Sequence, residues 1–299
     1  MNYSNKSVVR HLRGFTIIEL LVVIAIIVII VSILTPSLGR AFRSARSTED
    51  KTQARGIHSS MLLYSTTNNG DLPRPSVIGK GHDNIQHEYS DTTANLMSFM
   101  LARNYFNTDT LISPTESNPN VQDMNAMDLA YDYKSIDGEY ILWDTEFVAD
   151  VSSATPVSPA HNSYAHQALC GERVRLKWNA GASSSDIAIS NRGPEVEIAD
   201  GEMSTNEDSF TMKFHGREDA WLGVIVGGDG SARLAGSIYP DEVAYKPLNG
   251  SPLGPDNLFY TDWNDINIPS VPPGMASGDN WLVICDEVLG ENEIIAVWD

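Results

Sequence analysis

Seven histidines, two cysteines and 39 carboxylates are the side chains that could do chemistry, and spacing disposes of most combinations. His82 and His87 are five residues apart, as are His161 and His166. Two imidazoles that share a zinc ion on one helix face sit four apart. No G-x-S-x-G turn presents a nucleophilic serine, and "GGDGSARLAG" from Gly227 lacks the glycine spacing of a dinucleotide-binding turn. "DWNDIN", Asp262 to Asn267, offers oxygen ligands to calcium, but an EF-hand loop would need glycine at its sixth place, and an Asx-rich turn is the competing reading. Cys170 and Cys285 either close one long loop as a disulfide, contributing about 4 kcal/mol in the chain-entropy model, or stand as two separate buried thiols. No catalytic residue, metal site or cofactor is expected from these patterns, calcium aside. The residue that demands an explanation is Glu19, the one charge in "FTIIELLVVIAIIVIIVSILTP", Phe15 to Pro36.

That run of 22 residues makes a helix of about 33 Å at 1.5 Å per residue. The hydrocarbon core of a bilayer is about 30 Å thick, so the run crosses it once. A cleaved secretory signal would have an apolar core of about 7 to 15 residues followed by a small-x-small site. Here the small residue, Gly14, precedes the run. An ionised side chain at mid-bilayer costs about 2.5 to 3.5 kcal/mol. Glu19 lies shallower, about 6 Å past Phe15, where the positive end of the helix dipole offsets part of that cost. A snorkelling carboxylate is the plain account. A cut between Gly14 and Phe15 would supply the functional one, because the new α-amino group is a cation in the same layer.

"RGFTIIELLVVIAII" resembles the class III signal of type IV prepilins and type II secretion pseudopilins. The shared features are the basic leader with Lys6, Arg10 and Arg13, Gly14 before the cut, Phe15 first and Glu19 fifth in the mature chain, and Pro36 at the end of the apolar run. The resemblance implies that prepilin peptidase cleaves after Gly14 and N-methylates Phe15. It further implies an inner-membrane assembly platform that draws the chain into a helical filament of pilin or pseudopilin subunits, with Glu19 neutralising a neighbour's N-terminus. Until assembly the chain would sit in the bilayer once, its head on the extracytoplasmic side. Arg40, Arg43 and Arg46 follow the span closely and cancel the positive-inside bias of the leader, so orientation rests on the peptidase signature. Those arginines would contact anionic headgroups, line a filament groove, or form a solvated helix face.

The elements that position these residues follow from periodicity. The helix is expected to continue beyond Pro36, which removes one backbone bond and kinks rather than ends it. Leu38, Phe42, Ala45, Ile57, Met61 and Tyr64 form an apolar stripe, and "TNNGDLP" closes the helix near Thr67. The chain thus divides into a leader (1–14), a transmembrane or filament-core helix (15–36), its amphipathic continuation (37–68) and a head (69–299). Residues 1–55 hold 8 of the 20 basic and 3 of the 39 acidic residues, so the rest carries 12 against 36. An acidic head of this size can build a substantial core and repels nucleic acid. "SDTTANLMSFMLARNYF" predicts one short amphipathic helix with Leu96, Phe99, Met100 and Arg103 in step. Strands are predicted at "EYILWDTEFV", "ERVRLKWNA", "DIAISN", "VEIAD", "DSFTMKFHG", "WLGVIVGGDGSARLAG", "NWLVICDEV" and "EIIAVWD", with tight turns at Gly-Asp-Gly and "LGEN". The predicted fold is α+β: a long N-terminal helix on a mainly antiparallel β head, the lollipop shape of pilins.

A looser similarity, to large-headed pilin-like proteins, extends over the head. It rests on "NNGDLP" (Asn68–Pro73), "ISPTESNP" (Ile112–Pro119), and His215 followed by an apolar strand and Asp229-Gly230. Ser113 stands where those proteins usually have cysteine, and the resemblance implies that His215, Asp229 and Gly230 form a structural strand-turn-strand latch. Two functions remain: a non-enzymatic filament subunit, or a single-pass anchored, exported binding or enzymatic module with an acidic ectodomain.

Overall fold

The computed structural model describes residues 15–80, 89–127, 142–144, 146–199, 202–217, 220–243, 255–260, 279–290 and 293–298. Gly14 and the basic leader, His82, His87, the "DWNDIN" segment and the turn residues of "LGEN" after Gly290 lie outside them. The chain forms two compact units, Met1–Ala45 and Arg46–Asp299.

Helix α1 runs from Ile17 to Ser65 with Pro36 inside it. In the first unit its side chains from Phe15 to Leu34 are exposed, and so are Leu38 and Phe42. Among the described residues α1 is the one helix long and apolar enough to cross a membrane. The helix continues past Pro36 as expected, since a lost backbone bond at one residue is small against 49 residues of helix. Its end is built by "TNNG": Asn69 and Gly70 take the left-handed conformation (φ 56° and 87°), and Gly70 N–H donates to the Ser65 carbonyl at 3.0 Å. The Asn68 side-chain amide donates to the Tyr64 carbonyl at 2.8 Å, capping the last turn again.

The second unit is organised by a six-stranded sheet in which every neighbouring pair is antiparallel, in the order β6-β5-β2-β1-β7-β8. The strands are β1 (Tyr164–Gln167), β2 (Ile187–Asn191), β5 (Gly223–Gly227), β6 (Ala232–Ala235), β7 (Leu282–Gly290) and β8 (Glu293–Val297). β3 (Val196–Ala199) and β4 (Glu202–Thr205) pair as a separate hairpin. The sheet is covered on both faces. Val224 and Val226 of β5 join Ala54, Ile57 and Met61 of α1 and Leu96, Met97 and Met100 of α3 (Thr93–Ala102, which follows the four-residue α2, Pro75–Ile78) in one cluster, while Ile225 between them packs with Trp221 and Phe259 in a second. Burying each such side chain contributes about 1.5–3 kcal/mol. Ile57 and Met61 therefore bind the second half of α1 into the head unit.

Four expectations need correction. "ERVRLK", Glu172–Lys177, is helix α4 rather than a strand, with Arg175 and Lys177 in the last turn where they suit the helix dipole. Phe210–Gly216 is a 3₁₀ segment rather than a strand, started by Ser209, whose hydroxyl accepts from Thr211 N–H at 3.1 Å. The described residues of "EYILWDTEFV" (142–144 and 146–148) are not in a strand. Helix α3 starts as read, with Thr92 accepting from Asn95 N–H at 3.2 Å, but it is buried over most of its surface rather than amphipathic.

Candidate functional site

The N-terminus of α1 shows how Glu19 is held. Thr16 is the residue before the first helical turn, and its N–H and hydroxyl both donate to Glu19 Oε2, at 2.9 and 2.7 Å. Glu19 N–H donates back to Thr16 Oγ1 at 3.2 Å. This reciprocal pair is a capping box, which satisfies backbone donors that a helix start otherwise leaves open. The carboxylate is thus answered within its own chain by Thr16, a residue the sequence reading passed over although Thr-x-x-Glu is the signature of such a start. Both bonds fall on Oε2, and Oε1 carries no hydrogen bond among the described residues. Phe15 is exposed immediately before the box.

A second constellation lies deeper, around Asp50, the first buried residue of α1. Tyr164 of β1 donates its hydroxyl to Asp50 Oδ1 at 2.6 Å, and the Asn191 amide of β2 reaches the same oxygen at 3.3 Å. Thr115 Oγ1 donates to Oδ2 at 3.3 Å, and His215 Nε2 lies 3.1 Å from that oxygen. A carboxylate only accepts, so the His215 ring nitrogen is a donor here. Burial, followed by the Asp50 charge, pushes the Tyr164 phenol well above its ordinary range, which keeps it a donor too. Ser113 is tied to Thr115 by a 2.8 Å hydroxyl pair, and Glu116 next to it accepts from buried Arg192 at 2.8 Å. "ISPTESNP" and His215, far apart in the head sequence, are therefore brought to one point on the long helix.

Asp229 and Gly230 do not join them. The expected latch of His215 with Asp229-Gly230 is two separate contacts with α1. Asp229 caps its own hairpin turn, accepting from Ser231 N–H at 2.9 Å and Ser231 Oγ at 2.6 Å. Gly230 has φ 79°, which is why glycine stands there, and a β-carbon added at that position would sit 4.0 Å from His58 Nδ1 of α1. His58 is fully buried, and neither ring nitrogen has a hydrogen-bond partner among the described residues. Burial lowers its pKa to about 4, against a weaker opposing pull from Asp229. Sequence reading missed Asp50 and His58 because polar residues on an amphipathic helix are ordinarily assigned to its wet side.

The other candidates have structural partners. His166 bonds Thr93 Oγ1 and the Gln167 carbonyl, both at 2.8 Å, and burial lowers its pKa to about 4. His161 Nδ1 meets the Gln122 carbonyl at 3.0 Å. Cys170 and Cys285 are free thiols, buried in one apolar cluster with Val283 and Val288; of the two readings left open, the bridge is not formed here. Burial raises both thiols, so neither is an activated nucleophile. A cleft of about 470 Å³ lies at the C-terminal end of α1 between Tyr64, Asn68, Asp71, Arg74, Trp178 and Asn179. Arg74 is already paired with Asp91 at 2.7 Å, and Trp178 Nε1 donates to the Pro73 carbonyl at 3.0 Å. Among the described residues, no histidine, cysteine or serine lines this cleft.

Comparison with known families places the model of the prokaryotic N-terminal methylation motif on residues 10–35, the segment with Phe15 and the capping box. No curated protein and no solved structure matches the chain. The motif supports a type IV pilin or pseudopilin-like role and a structural rather than enzymatic subunit.

Proposed function

We propose that the chain is a subunit, pseudopilin or minor pilin, of a type II secretion or type IV pilus-like filament. In this reading prepilin peptidase removes the leader after Gly14 and methylates Phe15. The inner-membrane assembly platform then moves the apolar helix from the bilayer into the filament core. The observation that carries the proposal is the methylation motif on residues 10–35, at the start of a helix whose side chains from Phe15 to Leu34 are exposed and, apart from Thr16, Glu19 and Ser32, apolar. In water such a surface is untenable, and it needs lipid or other helices around it.

The capping box refines the role of Glu19. One carboxylate oxygen serves the chain's own helix start, and the other is available to accept from a neighbour's methylated amine. Assembly adds a partner to a carboxylate already in place, without a change of rotamer. Glu19→Ala should leave cleavage intact and abolish incorporation into filaments, scored by immunogold labelling of sheared fibres. Normal assembly of the Ala variant would refute the pairing.

A further inference from the structure

α1 carries Arg40, Arg43 and Arg46, all exposed and with no ion pair or hydrogen bond to another group among the described residues. A step of three residues turns the helix by about 300°, so the three guanidinium groups wind over roughly a third of its circumference as one ridge. Glu49 is the next exposed acid on the helix, with no ion pair to Arg46 within 4.0 Å. The ridge concentrates positive charge that would attract an anionic surface, and distance argues against lipid for most of it. Beyond Pro36, Arg40 lies about 6 Å, Arg43 about 10 Å and Arg46 about 15 Å along the axis. The headgroup layer is about 5–8 Å deep on each side, so only Arg40 stays within it.

The acid on offer is on the chain itself. Residues from 56 onward hold 36 acidic against 12 basic side chains. On the C-terminal hairpin, β7 exposes Asp286 and Glu287 together, and Leu289 and Ile295 on the same hairpin are 46% and 40% exposed. Burial, then the neighbouring charges of Asp150 and Glu287, raises the Asp286 carboxyl, as expected where like charges crowd without a cation.

We infer that the Arg40–Arg43–Arg46 ridge of one copy docks the β7–β8 hairpin of a second copy, guanidinium to Asp286 and Glu287, with Leu289 and Ile295 beside the contact. Two different patches of one chain make a heterologous contact, and such contacts propagate into rings or, where the rotation does not close, into helical fibres rather than two-fold dimers. The inference rests on the filament reading and adds to it a contact outside the apolar core.

The test uses the full chain in cells with an active prepilin peptidase. Arg43→Cys with Glu287→Cys should give a disulfide-linked ladder in sheared filaments; the native thiols are buried and do not compete. Arg43→Glu/Arg46→Glu should lower filament yield about tenfold or more, as should Asp286→Lys/Glu287→Lys, and the two together should recover most of it. Filaments of native yield with neither ladder nor charge-reversal effect would overturn the docking and leave the filament reading intact. A yield loss that reversal does not rescue, with depletion of the arginine variant from anionic membranes, would assign the ridge to lipid and overturn it too. Absence of filaments from the unaltered chain would remove both.

Discussion

Replacing Asp50 by Asn tests whether the long helix is held in the head by a carboxylate. The change keeps size and shape but removes one of two acceptor oxygens and the charge. In the structure that carboxylate is fully buried and receives Tyr164, Asn191, Thr115 and His215. The amide oxygen can keep Tyr164 and Asn191, but the new NH₂ group then faces the His215 N–H, donor against donor. A bond to a charged acceptor contributes about 1.5–3 kcal/mol, and an unsatisfied buried donor costs about 1–3 kcal/mol more. The total, about 3–5 kcal/mol, agrees with the usual cost of breaking a buried pair and is a large share of a typical stability of about 5–15 kcal/mol. For a domain of this size it lowers Tm by about 10 °C. All six tryptophans lie beyond residue 140, so their fluorescence in detergent reports melting of the head and is blind to the apolar helix. A cycle with His215→Ala should show coupling of about 1–2 kcal/mol. A Tm within 2 °C of native for Asp50→Asn, or additive effects in the cycle, would refute the assigned role.

His58→Leu removes a buried ring whose nitrogens have no partner among the described residues, and it should stabilise the head by about 1–2 kcal/mol at pH 7. The gain should grow on acidification. A folded pKa of about 4 lies below the unfolded value of about 6.5, so the native neutral ring contributes stability fully present above pH 6.5 and lost as pH falls towards 4. The difference in Tm between His58→Leu and native should therefore widen from pH 7 to pH 4.5; a constant difference contradicts the burial. Gly193→Ala would drive a β-carbon into the Phe259 ring, and urea titration should show a loss of about 1–3 kcal/mol, with a change below about 0.5 kcal/mol arguing that the ring moves freely. Thr16→Ala opens the capping box and should fray the first turn of α1, read as faster amide exchange at Ile17–Glu19 in micelles, for a loss of about 1 kcal/mol; unchanged exchange would mean that the box does not hold the helix start.

How much was legible in the sequence follows from where each residue finds its partner. The two ends of α1, the β5–β6 turn and the β7–β8 hairpin are decided by neighbours a few residues away, and Asn69-Gly70 and Gly-Asp-Gly announce them. β1 was not foreseen, because "YAHQ" is four residues long and buried on both faces, so it carries no alternation. "ERVRLK" alternates like a strand by accident of six residues, while its glutamate, arginines and leucine favour helix. Asp50 is the sharper case. Its partners lie 65, 114 and 141 residues away for Thr115, Tyr164 and Asn191, and no local pattern marks a carboxylate that so distant a set of donors will enclose. His215 reaches the same carboxylate at 3.1 Å, and no local pattern marks that contact either. The start of α1 is legible as Thr-x-x-Glu, Thr16 to Glu19, a signature that attention to the Glu19 charge alone leaves out.

The central claim is that this chain is processed at its Gly14–Phe15 bond to begin with a methylated phenylalanine. Intact-mass and N-terminal peptide analysis of protein purified from cells with an active prepilin peptidase tests it directly. The account predicts a chain starting at Phe15 and one methyl heavier than its sequence requires. A chain that still begins at Met1 in those cells, or one cut after Pro36, would contradict it.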